Sequence, residues 1–310
     1  MRILVTGGAG YIGSVAAQEL IFAGYEVVII DNLSKGRKEL IPEKATFYDY
    51  DLNDPRINDI LKDIDAVMHF AAYKAAGESM KDASKYSGNI SSTINLLDSM
   101  IRRNVKKIIF SSSAAVYGIP EEQPTNELAP INPINYYGYT KLACENIINW
   151  YSHIHDLSFV ALRYFNVAGD GGLNYIDPDA ENILPIIMEV VTKKRDKLIV
   201  FGDDYPTSDG TCIRDYIHVK DLVEAHIKAL DLGGRHFLNL GSKIGYTVME
   251  LIKKTEKITG KKIPYEIGPR REGDPASLIA STTKAEELLG FIPKKSMEDM
   301  IKSTYDAYTR

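Results

Sequence analysis

The amino-acid sequence predicts an α/β fold, with a doubly wound parallel sheet in the first half and a smaller C-terminal α/β domain. Short strand-like apolar runs alternate with helical patterns, which is the order of a parallel sheet with crossover helices. A glycine-rich turn joins the first apolar run to the first helical pattern. After Asn166 the sequence pattern changes, because Gly- and Asp-rich loops replace the regular alternation of strands and helices.

The predicted elements follow one another in a regular order. Strands are predicted over Ile3–Val5, Val27–Ile30, Thr46–Tyr48, Ala66–Phe70, Lys107–Phe110 and Phe159–Tyr164. Helices are predicted over Gly13–Ala23, Pro55–Leu61, Ala83–Asn104 and Tyr137–His153. Ligands of doubly wound sheets bind beyond the carboxyl ends of the strands, so motifs at those ends are the candidates for function.

The first turn reads Gly7-x-x-Gly10-x-x-Gly13, and the second strand is followed by Asp31. Glycines at this spacing suit a tight turn, close approach of the backbone to a pyrophosphate, and close packing of helix on strand. The helix N-terminus offers N–H groups and a positive dipole end to the phosphates. A carboxylate at Asp31 can accept both hydroxyls of an adenosine ribose and would repel a 2′-phosphate. The pattern predicts a Rossmann site for NAD rather than NADP.

The composition argues against several other classes of protein. The 310 residues are 45% hydrophobic and 25% charged, which supports one large or two modest domains. A net charge of −5, without a basic cluster or a long apolar run, indicates neither a nucleic-acid nor a membrane partner. Cys144, Cys212 and the scattered histidines lack ligand spacing, so no metal site or disulfide is expected. We expect no secretory signal and a cytoplasmic location.

A second motif lies in the middle of the chain. A strand leads into Ser111-Ser-Ser113, and Tyr137-Gly-Tyr-Thr-Lys141 follows further on. Tyr137 and Lys141 share one face of a helix, where an ammonium favours the phenolate and lowers the pKa of the tyrosine. This spacing predicts Tyr137 as a general base, with Lys141 bonding a nicotinamide ribose and Ser113 donating to the substrate oxygen.

Taken together, the motifs resemble those of the UDP-glucose 4-epimerases, within the extended short-chain dehydrogenase/reductase superfamily. The resemblance runs from Met1 to about Leu289. Besides the two motifs above, the matching segments are Asp31–Leu33, His69–Ser79, Ser111–Gly118, Leu162–Asn166, Phe201–Pro206, Arg214–Val219 and Arg271–Asp274. The later segments distinguish these epimerases from their relatives.

The resemblance implies a role for each matching residue. The implied catalytic residues are Tyr137, Lys141 and Ser113. The implied cofactor-binding residues are Gly7, Gly10, Tyr11, Ile12, Gly13, Asp31, Asn32, Ser34, Asp51, Leu52, Phe70, Ala71, Lys74, Asn89, Ser111, Tyr137, Lys141 and Phe165. The implied substrate-binding residues are Ser113, Tyr137, Asn166, Asn182, Arg214, Tyr216, Arg271, Asp274 and Leu278. Two alternatives stay open: Arg214 forms an ion pair with Asp215 or Asp221, and Asp51 is a turn acid.

The implied reaction is reversible, NAD-dependent epimerisation at C4 of UDP-glucose and UDP-galactose. Tyr137 takes the C4 hydroxyl proton while hydride leaves C4 for NAD⁺, and hydride returns to the other face of a 4-keto sugar. Net redox is zero, so NAD should stay bound. A 4,6-dehydratase would need an Asp-Glu pair where Ala114-Ala115 stands. Further alternatives are a dehydrogenase that releases NADH and a non-catalytic NAD-binding regulator.

Two positions depart from the family pattern, and a third position, Leu278, sets an expectation about the sugar. Tyr136 replaces the usual Pro before the catalytic Tyr, and Ala72 replaces Gly in Phe-Ala-Gly. In the family, the fourth residue after Asp274 helps decide whether a 2-N-acetyl group fits. Here it is Leu278, so UDP-glucose and UDP-galactose are expected as the main substrates, with partial activity on N-acetyl sugars.

Two domains and one assembly are expected. Residues 1–167 should bind NAD, with a segment near 211–235 returning to that domain, and residues 168–310 should bind the UDP-sugar. The resemblance implies a homodimer that packs through the helices predicted over Ala83–Asn104 and Tyr137–His153.

Overall fold

Through the first half of the chain, strands and helices form where the sequence predicts them. The computed structural model describes residues 1–271 and 273–310, so Glu272 of the motif Arg271–Asp274 lies outside the described residues. The strands are β1 (Arg2–Thr6), β2 (Glu26–Ile30), β3 (Thr46–Tyr48), β4 (Ala66–His69), β5 (Lys107–Ser113), β6 (Ser158–Tyr164), β7 (Asn166–Ala168), β8 (Leu198–Phe201), β9 (Ile213–His218), β10 (Arg235–Leu240), β11 (Gly245–Thr247), β12 (Tyr265–Gly268) and β13 (Ser277–Leu278). The α-helices are α1 (Tyr11–Phe22), α2 (Ile57–Ile60), α3 (Ala76–Ser79), α4 (Ala83–Arg102), α5 (Tyr136–His155), α6 (Ile183–Val191), α7 (Val219–Lys228), α8 (Val248–Thr259), α9 (Thr283–Leu289) and α10 (Met297–Thr309).

Strands β1–β6 and β10 form a seven-stranded sheet, in the order β10-β6-β5-β4-β1-β2-β3. β1 pairs in parallel with β2 and β4, and β4 pairs in parallel with β5. The strand order reverses between β1 and β4, which is the switch point where doubly wound sheets bind ligands. The predicted doubly wound parallel sheet is therefore confirmed. β10 was not predicted, because this edge strand mixes polar with apolar residues and lacks a continuous apolar run.

Helices α2, α4 and α5 cover one face of this sheet. Leu4, Val67 and Ile108 point from neighbouring strands into the same buried cluster, which also contains Leu97 from α4 and Ile148 from α5. Burying an aliphatic side chain of this size contributes about 1.5–3 kcal/mol. The strand ends are thus held on a rigid base, and the loops that follow them inherit fixed positions.

The chain divides into two compact units, which are described separately. Unit 1 comprises residues 1–118, 131–163 and 223–238, and unit 2 comprises residues 119–130, 164–222 and 239–310. In unit 2, β9 pairs with β7 and β13 in parallel and with β11 in antiparallel fashion. β8 and β12 form a separate parallel pair, and α6, α8 and α10 pack around a second buried cluster.

The units begin and end at other residues than the predicted domains. Residues 119–130 fall in unit 2, because the Thr125 N–H donates to the Ile279 carbonyl at 2.8 Å and the Ser281 N–H to the Thr125 carbonyl at 2.8 Å. The returning segment is 223–238 rather than one near 211–235. The assignment of NAD to one domain and of the UDP-sugar to the other stays a prediction.

His69, the last residue of β4, is buried between two threonines. Its Nδ1 lies 2.7 Å from Thr6 Oγ1, and its Nε2 lies 3.1 Å from Thr93 Oγ1. Burial, with a smaller contribution from the charge of Lys141, lowers the pKa of His69 from 6.5 to about 3. The imidazole is therefore neutral in the folded protein at neutral pH.

This histidine predicts an acid-sensitive fold. Between pH 6.5 and about 3 the unfolded chain binds a proton at His69 that the folded chain does not, so stability is full above this window and falls as pH drops through it. His69→Gln should flatten the pH dependence of the free energy of unfolding by up to about 1.4 kcal/mol per pH unit. Urea unfolding of both proteins at several pH values measures this. His236→Gln is the control, and parallel slopes for wild type and His69→Gln would contradict the prediction.

Candidate active site

The glycine turn forms a tight cradle between β1 and α1. Gly7 has a left-handed φ of +71°, and a Cβ there would lie 2.7 Å from the Ala71 backbone nitrogen. A Cβ on Gly13 would lie 2.1 Å from the Gly7 carbonyl oxygen. Gly10 is the N-cap residue of α1, and within the described residues no side chain makes a capping hydrogen bond to this helix. The first turn of α1, with Tyr11 and Ile12, therefore presents backbone N–H groups to an anion.

Asp31 lies directly behind this turn, at the end of β2. Its Oδ2 accepts from the Ala9 N–H at 3.0 Å and its Oδ1 accepts from the Leu33 N–H at 2.9 Å. Burial raises the pKa of Asp31, and these two backbone hydrogen bonds act in the opposite direction. The carboxylate is thus held in one orientation beside the helix N-terminus, as a ribose-binding acid requires.

The neighbouring polar residues hold one another. Asn32 donates to Asp51 at 2.7 Å, and the Ser34 N–H donates to Asn32 at 3.1 Å. Asp51 also accepts the Asn53 N–H at 2.8 Å. It is therefore a turn acid, which was the alternative left open by the sequence. Leu52 is buried in the core cluster of unit 1.

The loop after β4 carries further predicted cofactor residues. The Phe70 N–H donates to the Thr6 carbonyl at 3.1 Å and the Ala71 N–H to Thr6 Oγ1 at 3.3 Å, while Lys74 is exposed. Asn89 accepts from the Tyr73 N–H at 2.9 Å and donates to the Tyr73 carbonyl at 3.1 Å. Because its amide bonds the Tyr73 backbone, Asn89 holds this loop in place.

The serine-rich end of β5 and the first turns of α5 come together. Lys141 is buried, and its ammonium donates to the Ser111 carbonyl at 2.7 Å and lies 5.9 Å from the centre of the Tyr137 ring. Ser113 forms a side-chain hydrogen bond with Tyr137, and its Oγ accepts the Ala115 N–H at 3.1 Å. The structure thus places the three predicted catalytic side chains in one cluster.

The pKa of the phenol departs from the expectation. Burial raises the pKa of Tyr137, and the hydrogen bond with Ser113 acts against that rise. The predicted lowering by Lys141 is wrong for this arrangement, because the ammonium is directed at the Ser111 carbonyl rather than at the phenol. Burial lowers the pKa of Lys141 itself to about 8, against the opposing effects of Cys144 and Glu145. A base at Tyr137 therefore depends on additional positive charge near the ring.

Several residues that hold Tyr137 were not predicted. The Ser79 hydroxyl accepts the Tyr137 N–H at 3.0 Å, and the Asn135 side chain caps α5 by accepting the Gly138 N–H at 2.8 Å. Tyr136, which stands where the family has Pro, places its hydroxyl 2.7 Å from Ser87 Oγ on α4. Asn135 is a residue type that commonly caps helices, so the sequence could have indicated it. Ser79 and Ser87 are brought to α5 by the fold.

Four of the nine predicted substrate residues lie on β7, β9 and β13 of unit 2. Asn166 is paired with Tyr216 in register, and its side chain donates to the Asp215 carbonyl at 3.0 Å. Leu278 is the register partner of Arg214 on the adjacent parallel strand, so the two side chains share a face of the sheet. Burial raises the pKa of Tyr216 above its ordinary value. By this register the four side chains lie on one face of the sheet.

Three further substrate candidates, Asn182, Arg271 and Asp274, and the cofactor candidate Phe165 lie elsewhere in unit 2. Arg214 forms an ion pair with Asp274, and the Arg271 guanidinium lies 4.1 Å from the centre of the Phe201 ring. Phe165 is buried and donates its N–H to the Leu240 carbonyl at 3.2 Å. Asn182 is the N-cap residue of α6, and its side chain makes no capping hydrogen bond within the described residues.

Two acids near Arg214 have other partners. Asp215 accepts hydrogen bonds from the Ser242 N–H at 2.7 Å and the Ala280 N–H at 3.1 Å. Asp221 accepts from the backbone N–H groups of Lys294 at 3.0 Å and Lys295 at 2.8 Å. The alternative pairing of Arg214 with either acid is therefore wrong, because backbone donors from distant segments already surround both carboxylates.

Within residues 1–271 and 273–310, no group of three or more His, Cys, Asp and Glu side chains is arranged to hold a metal ion. In the same residues, no helix is long and apolar enough to cross a membrane.

Residues 3–241 match the model of the NAD dependent epimerase/dehydratase family. The chain belongs to this family. The UDP-glucose 4-epimerase of Lactobacillus helveticus is 44% identical, over 98% of this chain and 96% of its own length.

Solved epimerase structures have the same fold. A UDP-glucose 4-epimerase from Bifidobacterium longum, in complex with NAD⁺ and UDP, aligns with a TM-score of 0.94 and 39% identity over 100% of this chain and 98% of its own. The UDP-Glc/GlcNAc 4-epimerase of Campylobacter jejuni aligns with a TM-score of 0.88 and 37% identity, over 99% and 98% of the two chains. These alignments confirm the family and the fold recognised in the sequence motifs.

The geometry of the glycine turn yields a stability prediction. A methyl group on Gly13 meets backbone atoms, which have to move, so Gly13→Ala should lower the free energy of unfolding by about 1–3 kcal/mol. Gly77 of α3 is the matched control, because a Cβ there meets nothing within 4 Å. Gly77→Ala should be neutral or stabilising by up to about 1 kcal/mol. Chemical unfolding of the two variants checks this, and equal stabilities would show that the turn is not sterically closed.

Proposed function

We propose that the chain interconverts UDP-glucose and UDP-galactose by NAD-dependent epimerisation at C4. The observation that carries the proposal is the Ser113–Tyr137–Lys141 cluster at the end of β5, in a chain 44% identical to a UDP-glucose 4-epimerase. It is an isomerase: the reaction changes the configuration of one carbon and leaves the overall oxidation state of the sugar unchanged.

The residues at the switch point fit NAD. The cradle of Gly7 and Gly13 is closed against any Cβ, so only a backbone surface faces a pyrophosphate, and Asp31 stands beside it for the ribose. A carboxylate at this place disfavours the 2′-phosphate of NADP. When bound, NAD supplies a hydride acceptor and donor together with a positively charged ring.

The proton chemistry belongs to Tyr137. As a phenolate it would take the proton of the C4 hydroxyl as the 4-keto sugar forms, and it would return that proton when C4 is reduced again. Ser113 bonds the same phenol and is placed to pass the proton on and to bond the sugar oxygen. Lys141 would hold the nicotinamide ribose of the bound cofactor. Because burial raises the pKa of Tyr137, this base becomes effective once positive charge from the nicotinamide lies near it.

The UDP moiety is held by unit 2. Arg214 and Arg271 supply guanidinium groups that bond a diphosphate in two places each, while Asn166 and Tyr216 add neutral polar contacts. The ion pair with Asp274 orients Arg214 before substrate arrives. Holding UDP fixed while the sugar rotates allows hydride to return to the opposite face of C4.

We extend the proposal to a cytoplasmic homodimer that packs through α4 and α5. On α5, Trp150 and Ile154 lie four residues apart, and each is 67% exposed. On α4, Ile94 is also exposed. A second copy that covers this face would remove these apolar side chains from water, which favours association.

The dimer proposal gives a direct test. Replacing Trp150 and Ile154 together with Glu should shift the protein from dimer to monomer in sedimentation velocity, since charges would be buried in the interface. Glu at Ile199 and Ile267, exposed residues of β8 and β12, is the control and should leave the mass unchanged. A monomeric wild-type protein would contradict the proposal.

Tyr137→Phe tests the base. The variant keeps the ring and its packing but loses the hydroxyl, so epimerase turnover should fall by about 10²–10⁴-fold with little change in thermal stability. Tyr139→Phe is the matched control, because Tyr139 is exposed on the same helix. Conversion of UDP-galactose to UDP-glucose, followed by chromatography, measures both. Turnover of the Tyr137 variant close to wild type would remove the assignment of this residue as base.

Leu278→Tyr tests the sugar pocket. Leu278 and Arg214 lie on the same face of the sheet. The bulkier tyrosine side chain should therefore restrict a 2-N-acetyl group more than it restricts a hydroxyl. The ratio of kcat/KM for UDP-galactose over UDP-N-acetylgalactosamine should rise by an amount worth about 1–3 kcal/mol. Leu278→Met, of similar volume, should leave the ratio unchanged. If Leu278→Tyr also leaves it unchanged, this residue does not select the sugar.

A further inference from the structure

An ion pair is buried directly behind the cluster of Ser113, Tyr137 and Lys141. Glu145 of α5 and Arg163 of β6 are 1% and 3% exposed, respectively. Arg163 donates from Nε to Glu145 Oε1 at 2.8 Å and from Nη2 to Oε2 at 2.6 Å. The two parallel hydrogen bonds fix the angle between the carboxylate and the guanidinium plane.

The pair is tied to the serine-rich end of β5. Ser112 donates its hydroxyl to Glu145 Oε1 at 2.5 Å, and the third guanidinium nitrogen of Arg163 donates to the Tyr117 hydroxyl at 3.1 Å. The rings of Tyr117 and Phe237 lie 5.2 and 4.9 Å from the guanidinium carbon. One carboxylate therefore connects α5 to both β5 and β6.

Sequence spacing relates this carboxylate to the chemistry. Tyr137, Lys141 and Glu145 recur every four residues, so they lie along one face of α5. The same face meets three successive serines of β5: Ser111 accepts from Lys141, Ser112 donates to Glu145, and Ser113 bonds Tyr137. Helix and strand are thus bonded to each other at three points.

Stability alone does not account for a charged pair at this place. Removing two charges from water is costly, and well-packed apolar residues of similar volume often give an equally stable core. What an apolar pair cannot supply is directional bonding that fixes the register of α5 on β5, or a negative charge one turn from Lys141.

We propose that Glu145, held by Arg163, is a positioning residue of the epimerase reaction: it sets the register of α5 against β5 and places a carboxylate one helical turn from Lys141. The inference rests on the proposed function. It assigns Glu145 no contact with substrate or cofactor.

Ionisable, carbonyl and aromatic groups from three elements surround Lys141. Tyr137, Cys144 and Glu145 face it from α5, the Ser111 carbonyl and the Phe110 ring from β5, and His69 from β4. Cys144 is buried with a raised pKa and His69 is neutral, whereas Glu145 is the carboxylate of the ion pair with Arg163. Losing it disfavours the protonated form of Lys141.

The decisive variant is Glu145→Gln/Arg163→Met, which removes both charges and leaves neither one buried alone. Its kcat for UDP-galactose should be at least about 10-fold below wild type, with a much smaller change in KM, because the reacting groups are misplaced. The alkaline limb of its pH–rate profile should move to lower pH. Replacing Glu189 and Arg195, an ion pair whose side chains are 20% and 44% exposed, with Gln and Met is the control and should change neither quantity.

Two further measurements separate the possible outcomes. Glu145→Asp keeps the charge but withdraws it from Ser112, so it should lower kcat while the alkaline limb stays near wild type. Titration of lysine Cε signals in ¹³C-labelled protein, with Lys141 assigned from Lys141→Ala, should show a lower Lys141 pKa in the double variant. This readout is independent of activity, so an inactive wild type would contradict the proposed function without deciding the role of Glu145.

The inference fails if the double variant folds with wild-type kcat and an unchanged pH profile, since the pair would then be structural only. If the double variant shows no cooperative unfolding transition, Glu145→Asp decides: wild-type kcat in that variant would overturn the positioning role, and reduced kcat with an unshifted limb would support it.

Discussion

The docking of one helix on one strand determines what the rest of this structure can do. Lys141, buried on α5, donates to the Ser111 carbonyl at the end of β5, and this contact holds the helix at a fixed height above the sheet. Asn135 caps the first turn of α5, and Ser79 receives the Tyr137 N–H. The phenol that would move a proton therefore stands on a helix whose start, middle and register are all bonded to neighbouring elements.

The parallel sheet makes this docking useful. Because β1, β4 and β5 run in parallel, their carboxyl ends meet at one edge, and the glycine turn, the loop after His69 and the serines reach the same edge. The proposed binding surface on that edge is largely backbone at the glycine turn and side chain at β5. This division suits a cofactor held through its phosphates and a reaction controlled by a few hydroxyl and ammonium groups.

The sequence predicted the parts that depend on local spacing. Gly7 to Gly13, Asp31, and the pairing of Tyr137 with Lys141 follow from turn geometry and from helix periodicity, so they could be found without coordinates. It did not predict contacts made between distant segments: Ser79 with Tyr137, Asn89 with the Tyr73 backbone, or Asp274 as the partner of Arg214. The expected lowering of the pKa of Tyr137 also failed, because burial and the direction of the Lys141 ammonium are set by the fold. Glu145 lies on the same helix face as Lys141, four residues on, and that spacing could have drawn attention to it.

The central claim is that hydride leaves C4 and returns to the same carbon within one binding event. Incubating the purified chain with UDP-galactose deuterated at C4, in ordinary water and without added NAD, tests this directly. NMR of the product should show UDP-glucose that retains deuterium at C4, since the transferred hydride never exchanges with solvent. Loss of deuterium to water, or no conversion unless NAD is supplied in stoichiometric amounts, would contradict the account.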